Sequence, residues 1–157
     1  NTYAGVNPTN MQVEASAGAQ VLWYSVDVSG GAGALPWSIS SAGSTNTGGS
    51  FGDDDTELGL YDSNGNLIAT NDDEDFGAGI LTSLIDSTTV GALADGTYYV
   101  AVGNFNTDYA AGFGATSTSS ASGTSQLNLN FVPPPISLCP SYTSAAAAQL
   151  ALVASTC

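Results

Sequence analysis

An acidic stretch in the middle of the chain holds the residue types best suited to chemistry. The segment 52–77 reads GDDDTELGLYDSNGNLIATNDDEDFG, and it contains nine of the 14 acidic residues. No Lys, Arg or His occurs in the sequence, so no basic side chain can neutralise these carboxylates. Carboxylates at this density repel one another, take up protons or coordinate a hard cation. The nine are Asp53, Asp54, Asp55, Glu57, Asp62, Asp72, Asp73, Glu74 and Asp75.

The absence of basic residues excludes several classes of function. The formal charge is −14. Nucleic-acid phosphates and anionic lipid headgroups are bound through Lys and Arg, so we expect no nucleic-acid partner and no such membrane binding. A chain without His or Lys cannot build a His-based catalytic triad, a His-containing zinc site or a Schiff base. Among familiar catalytic devices, only carboxylate chemistry remains.

The hydrophobic pattern predicts an all-β fold. The chain has 157 residues, of which 43% are hydrophobic, enough for one domain with a real core. Alternation of apolar and polar residues, typical of half-buried strands, recurs along the chain. It predicts strands at 21–29, 56–63, 66–70, 96–104 and 126–131, with a weaker one at 83–90. Two Gly-, Ser- and Thr-rich stretches, 40–52 and 110–125, are expected to be loops. Short strands joined by such turns predict a jelly-roll-like antiparallel β-sandwich.

The two ends of the chain fall outside this pattern. Residues 1–19 have no helical stripe, and we expect an extended N-terminal arm that could donate a strand to another copy. Residues 133–157 are a Pro/Ala-rich tail, in which 143–156 has helical propensity. The expected organisation is therefore an arm at 1–19, a sandwich at 20–132 and a short tail at 133–157.

The tail carries both cysteines, Cys139 and Cys157. We expect a disulfide between them, within the chain or between neighbouring copies, although two buried free thiols are the alternative. A bond within the chain would contribute about 3 kcal/mol by closing the loop. A disulfide fits an oxidising, extracellular setting, and Asn1 is expected to be a mature end left by signal-peptide removal. The longest apolar stretch, 145–154, is too short to span a bilayer, so we expect no membrane insertion.

A predicted hairpin brings the acidic residues together. Asn64-Gly65 is a strong hairpin signal, so strands 56–62 and 66–70 should pair directly. Pairing places the carboxylates before the first strand and those after the second at the same end of the sheet. They could splay into solvent, take up protons or bind Ca²⁺, and an oxygen-rich set without soft ligands favours Ca²⁺. No linear calcium motif is complete, so we expect a site assembled across the hairpin ends.

The same region carries a family resemblance. The runs WYSVDVSGG, DTELGLYDSNGNLIATNDD and LADGTYYVAVGNF occur in this order. Over about 20–132 the sequence resembles the bacterial pre-peptidase C-terminal domain family. Its members are secreted jelly-roll-like β-sandwiches, some of which bind calcium, so the resemblance implies the same for this chain. We expect no protease domain beside the module, and the extra acids beside the motif exceed the usual family pattern.

The resemblance also implies metal ligands. The family's Asp-Thr falls on Asp55 and Thr56, and its Asn-Asp-Asp falls on Asn71, Asp72 and Asp73. Together with neighbouring carboxylates, the candidate calcium ligands are Asp53, Asp55, Glu57, Asn71, Asp72, Asp73 and Asp75.

These features predict a structural role. We expect a secreted, extracellular or cell-surface subunit that assembles with copies of itself into a filament, sheath or surface layer, stabilised by calcium. The alternative is a calcium-stabilised module that binds carbohydrate or protein, with Trp23 and Trp37 joined by Tyr61 or Tyr99 in a stacking face. We do not expect an enzyme, because one short sandwich offers neither paired lobes nor a deep cleft for carboxylate catalysis.

Overall fold

The computed structural model describes residues 2–5, 10–34, 36–48 and 52–131. These ranges contain twelve β-strands, the short helix α1 (Ser87–Val90) and 3-10 helices at Ala32–Ala34 and Phe76–Ala78. Among the described residues, no helix is long and apolar enough to cross a membrane. The strands are β1 Thr2–Gly5, β2 Asn10–Ala17, β3 Leu22–Val28, β4 Trp37–Ser40, β5 Thr45–Thr47, β6 Thr56–Tyr61, β7 Leu67–Asn71, β8 Leu84–Asp86, β9 Gly96–Asn104, β10 Thr107–Ala110, β11 Gly114–Ser117 and β12 Ser122–Phe131.

Two large sheets enclose the core. The first sheet has the order β1-β3-β9-β6-β7, and its pairs are antiparallel except that β1 lies parallel to β3. The second sheet has the order β2-β12-β4-β8, and β5 pairs with β12. Apolar side chains of β3, β6 and β9 in the first sheet and of β4, β8 and β12 in the second form one buried cluster. The predicted all-β, sandwich-like fold is confirmed.

The predicted alternation is clearest in β3 and β12. Leu22, Tyr24, Val26 and Val28 are buried in β3, whereas the residues between them are more exposed. Leu127, Leu129 and Phe131 of β12 face the same core from the opposite sheet. Alternation therefore identified these strands correctly, because each has one face in the core and one face outside it.

Strand β6 is buried on both faces. Its inner side chains, Leu58 and Leu60, lie in the core. The hairpin β10–β11 covers its outer face, where Tyr109 packs over Gly59 and the Tyr109 hydroxyl donates a 2.7 Å hydrogen bond to the carbonyl oxygen of Glu57. The sequence predicted loops at 40–52 and 110–125, but β5 lies in the first stretch and β11 in the second. The predictions are wrong for these strands, because backbone pairing sustains both without an apolar stripe.

The Asn64-Gly65 turn joins β6 to β7 as predicted. Gly65 has φ of +82°, a left-handed conformation that Gly adopts at low cost. The Asp62 carboxylate accepts hydrogen bonds from the backbone N–H groups of Asn64 and Asn66, at 2.8 and 2.9 Å. Antiparallel pairing of Leu58 with Asn71 then fixes the two acidic segments at one end of the sheet.

The other expected elements have mixed outcomes. The weak strand predicted at 83–90 is a three-residue strand, β8, followed by α1, because the Asp86 side chain caps the backbone N–H groups of Thr88 and Thr89. Within the expected N-terminal arm, β1 pairs with β3 and β2 pairs with β12 of the same chain. The predicted C-terminal helix and the Cys139–Cys157 disulfide lie outside the described residues.

The contact between β6 and β10 gives a first prediction. A Cβ atom on Gly59 would lie 2.7 Å from the ring of Tyr109, so Gly59→Ala must displace the hairpin. We expect a loss of about 1–3 kcal/mol in the free energy of unfolding, measured by urea denaturation. Gly96→Ala in β9 is the matched control, because its Cβ would meet nothing within 4 Å. Equal stability of the two variants would show that the hairpin does not pack closely on β6.

Candidate metal centre

Three carboxylates converge where β6 begins and β7 ends. Oxygen atoms of Asp55, Asp72 and Asp73 all lie within 4.8 Å of one another. Ca²⁺ binds oxygen ligands at about 2.3–2.6 Å, so two ligands on opposite sides of one ion lie about 5 Å apart. The spacing of these carboxylates, called here the acidic triad, therefore fits a single ion.

Two oxygens of the acidic triad have unmet hydrogen-bonding capacity. Asp55 is only 4% exposed, and its Oδ1 atom is buried without a hydrogen-bond partner. Oδ1 of Asp73 is also buried without a partner. Buried polar atoms almost always have partners, because an unsatisfied one costs free energy. A cation is the partner that suits such oxygens, since the chain has no Lys, Arg or His to provide one.

The electrostatic environment disfavours charge on these groups when no cation is bound. Burial, with repulsion from Asp72 and Asp73, raises the pKa of Asp55 to about 6. Burial raises the pKa of Asp72, and the nearby Asp73 carboxylate adds to the effect. A bound Ca²⁺ would lower the pKa of both Asp55 and Asp72, because a positive ion favours the ionised carboxylate.

Glu57 lies beside the acidic triad but serves the neighbouring turn. Its two carboxylate oxygens accept hydrogen bonds from the backbone N–H groups of Asn106 and Thr107, at 2.7 and 3.0 Å. Burial, followed by repulsion from Asp72, raises the pKa of Glu57 to about 7, although the two N–H groups oppose this shift. Glu57 also lines a cavity of about 190 Å³ together with Asp72 and Asp108.

The other candidate ligands have different positions. Asp53 is exposed and is not one of the three grouped carboxylates. The Asn71 side chain accepts a 2.7 Å hydrogen bond from the N–H of Leu84 and donates one of 3.2 Å to the carbonyl oxygen of Asp73. The Asp75 carboxylate caps the 3-10 helix by accepting from the N–H of Ala78. Of the seven candidates, the structure brings Asp55, Asp72 and Asp73 together.

A buried polar layer behind the acidic triad holds its backbone in place. The Ser83 hydroxyl lies within hydrogen-bonding distance of the carbonyl oxygens of Thr56 and Asp72, and so connects the two acidic segments. The Asn46 side chain donates a 3.0 Å hydrogen bond to the carbonyl oxygen of Asp55. Sequence reasoning missed Ser83 and Asn46, because each lies in a stretch rich in similar polar residues and distant in sequence from the acids.

The aromatic residues proposed for sugar stacking pack against other rings. Trp37 is 2% exposed and stacks on Phe131, with ring centroids 5.6 Å apart. Trp23 contacts Tyr61 and Phe113, at centroid distances of 5.2 and 6.1 Å. Trp37 therefore belongs to the core, and Trp23 belongs to the contact between the first sheet and the β10–β11 hairpin.

Comparisons with protein-family models, curated proteins and solved structures found no match to this chain. The interpretation of the site therefore depends on its own geometry and composition.

The raised pKa values predict how stability depends on pH in the presence of EDTA. The folded protein holds protons on Asp55 and Glu57 at pH values where the unfolded chain has released them. Below pH about 4 both carboxyls are protonated in the folded and the unfolded state. As pH rises from there to about 6 and 7, the unfolded chain releases these protons more readily than the folded protein, so the free energy of unfolding decreases.

We therefore expect the free energy of unfolding in EDTA to fall as pH rises from 4 to 8, as measured by urea midpoints. Asp55→Asn should reduce the fall, because it removes one of the carboxyls whose pKa is raised in the folded protein. Stability that increases with pH over this interval would contradict the description of the acidic triad.

Proposed function

We propose that this protein is a secreted structural subunit that assembles with copies of itself into an extracellular filament, sheath or surface layer, stabilised by calcium. The observation that carries the proposal is the acidic triad, with two buried oxygens lacking partners in a chain without basic side chains. Ca²⁺ binds through carboxylate, carbonyl and water oxygens, which matches the residue types at this end of the sandwich.

The charge of the chain links the cation to assembly. Copies that each carry a formal charge of −14 repel one another at short range. Calcium bound at the acidic end removes part of this repulsion where the acidic residues are most concentrated. The same ion would hold the ends of β6 and β7 together within each copy, so calcium supports both the fold and the association of subunits.

The edges of the two sheets provide sites for association. Among the described residues, β7 pairs only with β6 and β8 pairs only with β4, so each is an edge strand. A cavity of about 350 Å³ lies along β7, β8 and α1, and its lining includes Ile68, Leu84, Ile85 and Val90. An edge strand whose backbone is not fully paired favours the addition of a strand from another copy. The resemblance to secreted pre-peptidase C-terminal domains supports the extracellular setting.

Calcium should stabilise the protein through the acidic triad. A ligand at about 100 times its dissociation constant adds about 2.7 kcal/mol, which corresponds to a rise in Tm on the order of 10 °C for a domain of this size. We expect this rise when Ca²⁺ is added to EDTA-treated protein, as measured by circular dichroism. Asp73→Asn should lose most of the rise, because it removes a triad ligand.

The matched control for that variant is Asp53→Asn. It removes the same charge from the same acidic stretch, but Asp53 is exposed and outside the acidic triad. This variant should keep the full response to calcium. Equal losses in the two variants would indicate diffuse charge screening in place of a defined site, and no response in the unmodified protein would overturn the cation role.

Assembly should depend on calcium as well. We expect negative-stain electron micrographs and sedimentation to show polymers in Ca²⁺ and dispersed subunits in EDTA. Sodium chloride at the same ionic strength is the control, because it screens exposed charges without occupying the acidic triad. Polymers that persist unchanged in EDTA would contradict calcium-dependent assembly, and dispersed subunits under every condition would contradict self-assembly.

A further inference from the structure

Asn104 is a buried junction between the two sheets. It lies at the end of β9 and is 0% exposed. Its Oδ1 atom accepts hydrogen bonds from Ser16 Oγ at 3.3 Å and from Asn46 Nδ2 at 2.6 Å. Its Nδ2 atom donates to the carbonyl oxygens of Gly18 and Ala121, at 3.2 and 3.1 Å. The amide therefore uses its two donors and two acceptor positions, and it links β9 to the N-terminal segment.

Asn46 continues this connection to the acidic triad. Its side-chain amide group has two hydrogens, one directed at Asn104 and the other at the carbonyl oxygen of Asp55, at 3.0 Å. The backbone carbonyl oxygen of Asn46 accepts a 2.7 Å hydrogen bond from the backbone N–H of Asp54. A continuous series of hydrogen bonds thus runs from the backbone of Asp55, through Asn46 and Asn104, to Ser16 and Gly18.

Strand β2 receives the far end of this series. Its residues Asn10–Ala17 pair with β12, and among the described residues β2 is the edge of the second sheet. An edge strand has one ladder of backbone hydrogen bonds, so its attachment depends strongly on any further contact. Ser16 and Gly18 supply such contacts through Asn104, with an additional 2.7 Å bond from the N–H of Gly18 to the carbonyl oxygen of Ala121.

We propose that cation binding at the acidic triad is coupled to the docking of strand β2 through the buried amides of Asn46 and Asn104. The proposal rests on the calcium site proposed above. In the absence of the ion, repulsion among Asp55, Asp72 and Asp73 drives the ends of β6 and β7 apart and displaces the carbonyl oxygen of Asp55 from Asn46. A buried polar network that is only partly satisfied loses stability, and the loss reaches β2 because Asn104 binds both Asn46 and Ser16.

This coupling makes the N-terminal strand an element whose attachment depends on calcium. With the ion bound, the backbone of Asp55 is fixed, Asn46 and Asn104 keep their partners, and β2 stays docked on β12. Without the ion, β2 opens more often than the central strands. Local opening of this kind is measured by hydrogen exchange of backbone amides.

The test compares hydrogen–deuterium exchange of the full chain in Ca²⁺ and in EDTA, with calcium uptake measured separately by calorimetry. We expect amides of β2, and those of β12 that face it, to exchange about 5- to 100-fold more slowly in Ca²⁺. Amides in the β3–β9 ladder should change much less, because the pairing of these strands ends at Leu22 and Val102, before Asn104.

Two variants interrupt the connection at different points. Asn46→Ala keeps every carboxylate but removes the link between Asp55 and Asn104. At a calcium concentration that calorimetry shows to saturate the variant, β2 should lose its calcium-dependent protection. Ser16→Ala removes only the bond between the Asn104 side chain and β2 and is the milder change. It allows the test to be made even if Asn46→Ala does not fold. Glu14→Gln is the matched control, because Glu14 lies on β2 opposite Ser125 and outside the connection. It should retain the full effect.

Two results would overturn the coupling while leaving the calcium site intact. One is an equal gain of protection in all strands, which indicates global stabilisation alone. The other is an unchanged calcium effect on β2 in a folded Asn46→Ala or Ser16→Ala variant. A calorimetric titration without calcium uptake would instead overturn the proposed calcium function, and the coupling would fall with it.

Discussion

Repulsion among carboxylates at one end of the sandwich is the constraint on which this structure depends. Asp55, Asp72 and Asp73 lie close enough for their oxygens to share one ion, and two of those oxygens are buried without partners. In most proteins a Lys, Arg or His would stand nearby, but this chain has none. The folded state therefore needs protons or a cation at this position, and protons are released as the pH rises towards 7.

The surrounding structure is organised around keeping these strand ends together. Ser83 bridges the carbonyl oxygens of the two acidic segments, and Asn46 holds the backbone before β6. Glu57 holds the turn between β9 and β10 through two backbone N–H groups. The hydrogen bonds of Ser83, Asn46 and Glu57 to backbone groups give this end of the molecule a defined geometry, although the Oδ1 atoms of Asn46, Asp55 and Asp73 stay buried without a partner. A bound cation would complete the arrangement by serving the acidic oxygens that remain.

The same constraint connects fold, cation and assembly in the proposed function. In that proposal the formal charge of −14 keeps copies apart, and they would associate when this charge is reduced. One ion site at the end of the sandwich would stabilise the subunit, lower the repulsion between neighbours and secure the N-terminal strand. Each of these effects would follow from placing positive charge at a single position, so a single ligand would control them together.

The sequence by itself determined the all-β class, the hairpin about Asn64-Gly65 and the end of the sheet at which the acids meet. These features depend on local signals, namely alternation along β3 and β12, turn chemistry and the order of residues around one hairpin. It did not determine β5, β11 or the covering of β6 by Tyr109, because backbone pairing and packing between distant segments produce no alternation of apolar and polar residues in the sequence. Nor did it distinguish Asp55, Asp72 and Asp73 from Asp53, Glu57 and Asp75. Only the tertiary structure decided that, because burial and the positions of Asn46, Ser83 and Asn106 set which carboxylates face one another and which bind backbone N–H groups.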